Sequence, residues 1–171
     1  MESKNTRPTL DRVKESLFNI INQRISDSIV LDLFAGSGAI GIEFMSRGCK
    51  KAYMCDKSNE AIKFIKKNVD KTRLNENAVI ANKDYKDFLM DLYKSEQKFD
   101  IIFIDPPYDL DISTEAVELI IKYKLLSNDG IIIVETDQKE REIKKLQEMQ
   151  IEIYDTRKYG RVNLIFLVER G

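Results

Sequence analysis

The stretch LDLFAGSGAIG, residues 31–41, decides how this chain folds. An apolar run meets Gly36, Gly38 and Gly41, and a helical pattern over 40–47 begins inside the same segment. Glycine at these points allows a tight turn and lets backbone approach a ligand that any Cβ would obstruct. The next apolar run ends in an acid, Asp56, twenty residues after Gly36. Strand, glycine turn, helix and distant acid together match the G-x-G-x-x-G fingerprint of a βαβ unit that binds a nucleotide-like ligand, with the acid placed to hold ribose hydroxyls.

Working outward, short apolar runs alternate with amphipathic ones. IVLDLF (29–34), KAYMCD (51–56), NAVIAN (77–82), FDIIFID (99–105), GIIIVET (130–136) and NLIFLVE (163–169) read as strands. Helical patterns fill 59–74, 85–93, 114–125 and 139–149. Near-continuous β-branched runs separated by helices predict a parallel sheet covered on both faces. The segment QIEIYDTRKYGRVNLIFLVE (150–169) breaks the alternation and predicts an antiparallel hairpin at the sheet edge. The opening TLDRVKESLFNIINQRI sets Leu10, Val13, Leu17 and Ile20 or Ile21 on one helical face. The expectation is α/β, a doubly wound and mostly parallel sheet of about seven strands with the last antiparallel. It is one domain over 1–171, with an N-terminal segment and leading helix (1–27) before a cofactor-binding and catalytic core (28–171).

The composition narrows the chemistry. The 28 Lys and Arg balance 29 Asp and Glu, for a net charge of −1, so a nucleic-acid partner would have to be met by a local basic patch. Cys49 and Cys55 form no C-x-x-C pair and read as reduced core thiols. Histidine is absent, which removes His triads, His metal sites and the usual acid–base catalyst. No apolar stretch approaches the roughly 18 residues that span a bilayer, and no signal peptide opens the chain. A cytoplasmic protein without a membrane partner is expected, and no residues cluster as a metal-ligand set. The aromatic residues Phe18, Phe34, Phe99 and Phe103 read as core.

Asp32 bears on the ligand. A dinucleotide turns its pyrophosphate to a helix N-terminus, and a carboxylate four residues before the loop sits badly with that dianion. It suits a ligand carrying an ammonium group, as S-adenosyl-L-methionine does. Ser37 lies between the first two glycines. Asp84, after the third strand, could accept from an adenine amino group or could simply cap a helix.

The second decisive segment is FDIIFIDPPYD, residues 99–109. Pro106 and Pro107 stop the strand and stiffen the loop after it. In an open sheet, ligands bind beyond the carboxyl ends of strands, where the strand order reverses. Asp105 and Tyr108 would then stand beside the glycine loop. Methylation of an exocyclic amine needs such a corner, because the amine lone pair is delocalised into its ring. The Asp105 carboxylate and the Pro106 carbonyl can accept its N–H bonds and aim the lone pair at an activated methyl group. Tyr108 can stack on an extruded or unpaired base. Transfer from a sulfonium needs no Lewis acid.

DLFAGSGAIGIE (32–43) followed by DIIFIDPPY (100–108) resembles the class I S-adenosylmethionine-dependent methyltransferases with a (D/N)PP(Y/F) motif. More narrowly, RPTLDRVKESLFNII (7–21) and KYG (158–160) resemble the bacterial RsmD-type 16S rRNA (guanine-N2)-methyltransferases. The resemblance implies that Asp32, Gly36 and Gly38 line the methionine end of the cofactor, that Asp56 holds the ribose and that Asp84 holds the adenine. It implies that Asp105, Pro106 and Tyr108 bind and orient the guanine, and that the product is S-adenosyl-L-homocysteine. Arg7, in the matching RPT segment, either contacts RNA or is an ordinary solvated arginine. Further RNA contacts are expected from Arg12, Lys158 and Arg161, with Lys4, Lys14 and Arg157 nearby.

Members of that family open with a further basic hairpin ahead of RPT, so either the sequence is trimmed or this homologue grips RNA less. Phosphate contacts dominate RNA affinity, so the near-neutral charge points to ribosomal RNA within an assembled or partly assembled small subunit as substrate. Three other readings stay open: an adenine-N6 methyltransferase on DNA or another RNA, a nicotinamide-dependent oxidoreductase, and a non-catalytic nucleotide- or RNA-binding module.

Overall fold

The structure, a computed structural model, describes residues 7–107 and 111–170, the first three as backbone only. Seven strands form one sheet: β1 (Ile29–Asp32), β2 (Lys51–Asp56), β3 (Ala78–Asn82), β4 (Phe99–Ile104), β5 (Leu126–Thr136), β6 (Ile151–Tyr159) and β7 (Val162–Glu169). Their order is β3-β2-β1-β4-β5-β7-β6. The first five are parallel, and β7 runs antiparallel to both β5 and β6. The chain thus builds outward from β1 in one direction and then restarts at β4 on its other side. That reversal puts the ligand crevice between the carboxyl ends of β1 and β4.

Alternation along each strand decides what faces which helix layer. Val30, Ile101, Phe103 and Ile133 point to one face and are covered by Val13, Leu17, Phe18 and Ile21 of α1 (Arg7–Ile21), with α2 (Ala39–Ser46) and α3 (Asn59–Thr72). Leu31, Ile102, Ile104, Ile132 and Val134 point to the other, against α4 (Tyr85–Lys94) and α5 (Ile112–Lys122), with Leu146 of α6 (Lys139–Leu146) at its edge. Full burial of such a side chain contributes roughly 1.5–3 kcal/mol, and β4 and β5 are buried on both faces, as parallel strands require.

Local signals set the element ends. Ser58 caps α3 by accepting from the Ala61 N–H at 3.1 Å. Asp84 caps α4, its carboxylate accepting from the Lys86 N–H at 3.0 Å. At the opposite end of the sheet, Asp100 accepts from the Ile29 N–H at 2.8 Å and from the Ser127 hydroxyl at 2.6 Å. That bridge pins the starts of β1, β4 and β5 in one register.

Several expectations need correction. Leu10 shares the helical face of Val13 and Leu17, yet it is 38% exposed, because the first turn of α1 extends past the core. Phe34 is only half-buried: it leaves β1 before the glycine loop and rests its ring 5.2 Å from that of Tyr85. The strand expected over 130–136 starts earlier, at Leu126, and carries an irregularity between Leu126 and Ile131 opposite the start of β4. The antiparallel hairpin expected at the sheet edge is present, with β7 next to β5 and β6 outermost. Cys49 and Cys55 are buried and free, and burial pushes their thiols up to about 11 and about 12.

Gly41 shows why the third glycine of the fingerprint is there. It is buried in α2, and a Cβ on it would lie 2.5 Å from the Met54 sulfur and 2.6 Å from its Cγ. Met54 is itself wholly buried on β2 and has little room to yield. Gly41→Ala is therefore expected to destabilise by about 1–3 kcal/mol through overpacking, read as a lowered melting temperature. A melting temperature equal to that of the parent would show that α2 and β2 are packed more loosely than this contact states.

Candidate functional site

Three strand ends make the floor of the crevice. β1 closes with Asp32, β4 is followed directly by Asp105, and β5 carries Glu135 as its penultimate residue. Asp32 lies opposite Phe103, and Ile104 lies opposite Val134. Asp105 and Glu135 are therefore register neighbours, and the period of two turns all three carboxyls toward the face that α1 covers. Glu135 carries no signal of its own in the sequence. It reads there as the polar end of an apolar run, and only the strand order β1-β4-β5 reveals its company.

Crowding of like charge governs their proton affinities. Asp32 is 2% exposed, and its Oδ1 has no hydrogen-bond partner. Burial, then the charges of Asp105 and Asp56, push its carboxyl up to about 8, partly offset by the backbone N–H groups of Gly41 and Phe34. Asp105 and Glu135 are hydrogen-bonded, and burial raises both. Asp105 is open to solvent at the crevice mouth, yet the protein packed round its carboxyl sets its affinity. Glu135 is the less exposed of the two, and burial together with the Asp105 charge favours its neutral form. Two acids this close cannot both ionise at neutral pH and titrate as one system.

The glycine loop forms the wall of the crevice. It hydrogen-bonds across the sheet, with the Leu33 N–H donating to the Phe103 carbonyl at 3.1 Å and the Ala35 N–H to the Cys55 carbonyl at 2.9 Å. Gly36 has φ +56°, and a Cβ there would meet no atom within 4 Å. The positive φ favours glycine, and the open space beyond it leaves room for a ligand. Gly38, φ +85°, opens α2, while Ser37 is exposed and its carbonyl accepts from the Asn68 amide at 3.0 Å. Asp56 holds the loop from the side, its two oxygens accepting from the Gly36 N–H at 3.0 Å and the Ser58 N–H at 2.9 Å. Each oxygen keeps a lone pair for a hydroxyl.

The remaining expected residues divide. Asp84 lies past the end of β3, half-buried, on the crevice side of the sheet, but its established contact is the α4 cap. Pro106 and Pro107 follow Asp105 without regular structure. Tyr108 lies outside the described residues, as do Lys4 and the side chain of Arg7. Arg12 sits over the ring of Tyr159, 5.7 Å from its centroid. Because Asn163 pairs with both Thr136 and Lys158, the turn carrying exposed Lys158 and Arg161 stands at the same end of the sheet as Glu135. Arg157 pairs with Asp155, and Lys14 with Glu43.

Among the described residues, no His, Cys, Asp and Glu group is arranged to hold a metal ion, and no helix is long and apolar enough to cross a membrane. The floor of three acids with an orphaned buried oxygen would repel a pyrophosphate. It fits a cationic ligand that supplies an N–H or a positive charge to Asp32.

The proton on Asp32 has a measurable consequence. Its folded-state affinity exceeds that of an unfolded aspartate, so folding takes up a proton, and stability falls as pH rises from about 4 to about 8. Asp32→Asn is expected to raise the melting temperature by a few degrees at pH 8 and not at pH 4. Equal effects at the two pH values would contradict this assignment.

Comparison with known proteins agrees with this geometry. The family described as conserved hypothetical protein 95 matches residues 1–168. YlbH of Bacillus subtilis, named as a candidate rRNA methyltransferase, is 38% identical over 168 residues, 97% of this chain and 89% of its own. Ribosomal RNA small subunit methyltransferase D of Haemophilus influenzae is 35% identical over 139 residues, 81% of this chain and 72% of its own. The solved structure of yhhF from Escherichia coli, titled as a candidate methyltransferase, matches with a TM-score of 0.79 at 25% identity, over 99% of this chain and 90% of that one. The chain belongs to the family described as conserved hypothetical protein 95, the RsmD family, and its mixed seven-stranded sheet is that of the class I methyltransferases.

Proposed function

We propose that this protein transfers a methyl group from S-adenosyl-L-methionine to the exocyclic N2 amine of a guanine in small-subunit ribosomal RNA. The observation that carries the reading is the convergence of Asp32 and Asp105 at the switch point beside an open glycine loop. Membership of the RsmD family supports it, and the names of the relatives point to ribosomal RNA. The chain acts as one methyltransferase unit in the cytoplasm, on an assembled or partly assembled subunit whose own fold supplies much of the recognition.

The bound cofactor supplies a methyl group made electrophilic by a sulfonium. Asp32 would take its ammonium group, satisfying the orphaned Oδ1 and drawing the carboxyl into its charged form. The backbone of Gly36, Ser37 and Gly38 would hold the methionine end. Asp56 would accept from the ribose hydroxyls through its spare lone pairs, and Asp84 from the adenine amine while still capping α4. Asp105 and the Pro106 carbonyl accept the two N–H bonds of the target amine, and Pro107 keeps that corner rigid. This orients the lone pair toward the methyl carbon before reaction, so little reorganisation remains at the barrier. Tyr108, outside the described residues, is the aromatic residue that would stack on the base. Arg12, Lys158 and Arg161, with Arg7 of the leading segment, draw in phosphates, each contact adding salt dependence to binding.

The test is incubation with labelled cofactor and small subunits lacking the modification, followed by nucleoside analysis. N2-methylguanosine is expected, and N6-methyladenosine as the labelled product would reassign the substrate. Asp105→Ala should keep its affinity for S-adenosylhomocysteine within about twofold, while kcat falls by 10²-fold or more, the scale for removing one stabilising group at a reacting centre. Full turnover in that variant would remove Asp105 from the chemistry.

A further inference from the structure

We propose that Glu135 is the positioning residue of the amine clamp: as a neutral acid it donates a hydrogen bond to Asp105 and holds that carboxylate charged and correctly aimed. The proposal rests on the methyltransferase reading, and it adds to it a residue on a third strand. Its basis is geometric. Ile104 lies opposite Val134, so the two acids leave neighbouring parallel strands side by side. Glu135 is the less exposed of the two, so it is the acid that burial keeps neutral and able to donate.

A second observation marks the place as a ligand site. Asp32, from β1, completes the cluster with an oxygen that is buried and unpartnered. The charges that act on the pair come from these same strand ends. Asp32 raises Glu135, Asp56 of β2 acts on Asp32, and no described group of α1 or α2 contributes to the shift of Asp105 or Glu135. Desolvation alone would leave Asp105 partly protonated at neutral pH, and a protonated Asp105 cannot accept an amine N–H. The Glu135 proton, donated but not transferred, offsets that tendency.

The same proton count serves the end of the reaction. The amine lone pair forms the new C–N bond, and the electron pair of the broken C–S bond stays on sulfur. The nitrogen is left positive and sheds one N–H proton to Asp105. The Asp105–Glu135 system, which held one proton, then holds two and returns one to water before the next turnover. Burial raises both departures above the ordinary carboxylate range. Turnover should therefore fall on the acid side as Asp105 takes up its proton, at a higher pH than a free aspartate would.

The test uses carboxyl-labelled, ligand-free protein followed by NMR across pH, alongside pH–rate profiles of Glu135→Ala and Glu135→Gln on small subunits. In the parent, Asp105 and Glu135 should titrate together, Glu135 well above the ordinary glutamate range. Glu135→Ala should move the acid limb of kcat up by roughly one pH unit, with affinity for S-adenosylhomocysteine unchanged. Glu135→Gln, whose amide still donates, should restore the limb and bring kcat within about threefold of the parent. An acid limb unmoved by Glu135→Ala, or Glu135→Gln as impaired as alanine, would overturn the proposal. Independent titration of the two acids would overturn it even if RNA is methylated. Joint titration with no methyl transfer to RNA would instead overturn the functional reading and, with it, this role.

Discussion

The structure depends on the register of β1, β4 and β5. Three parallel strands, pinned at their starts by Asp100, end at nearly the same height, and each delivers one acid to the same face. A slip of one residue in any of them would turn its acid to the opposite face, where the sheet packs on α4 and α5. The two apolar layers that flank the sheet forbid such a slip. Burial of the core thus holds together carboxyls that would repel each other if free to move.

That enforced proximity is the functional content of the fold. In ligand-free protein the cluster lowers its own charge by keeping protons on Asp32 and Glu135. A cationic ligand reverses this for Asp32, because an ammonium group offsets the desolvation that had favoured the neutral form. Stability and binding oppose each other at Asp32, as is common at sites built to receive a ligand. In the proposed reaction Asp105 and Glu135 divide the work differently: one would face the amine and the other would keep the first in its working state. The glycine loop contributes shape, with an open approach at Gly36 and close packing of α2 on β2 at Gly41.

Much of this was legible in the sequence because the decisive signals are local. The glycine spacing, the proline-terminated strand and the alternation of apolar runs each follow from short-range chemistry, and the sheet forms from those elements. The acids Asp32, Asp56 and Asp105 sit beside these markers and are found with them. Glu135 carries no marker. It ends an ordinary buried strand, and its meaning comes from β5 lying next to β4, a long-range fact. Its phase in the strand, odd-numbered with Ile131 and Ile133, would have placed it on the Asp105 face once that neighbour was known. The contact of Arg12 with Tyr159 was hidden for the same reason, since it joins the first helix to the last hairpin. Asp84 shows the reverse difficulty: one carboxylate satisfies a local rule at a strand end on the crevice side, and its cap is the contact the structure displays.

The central claim is that an acid-floored crevice at the β1–β4 switch point is built to receive a cationic adenosyl ligand. Isothermal calorimetry at pH 7 with S-adenosylhomocysteine and with NADH, in two buffers of different ionisation enthalpy, tests it most directly. S-adenosylhomocysteine should bind with release of most of one proton to the buffer, as Asp32 ionises against the ammonium group, and NADH should not bind. Binding of NADH, or binding of S-adenosylhomocysteine with no proton released, would contradict the account.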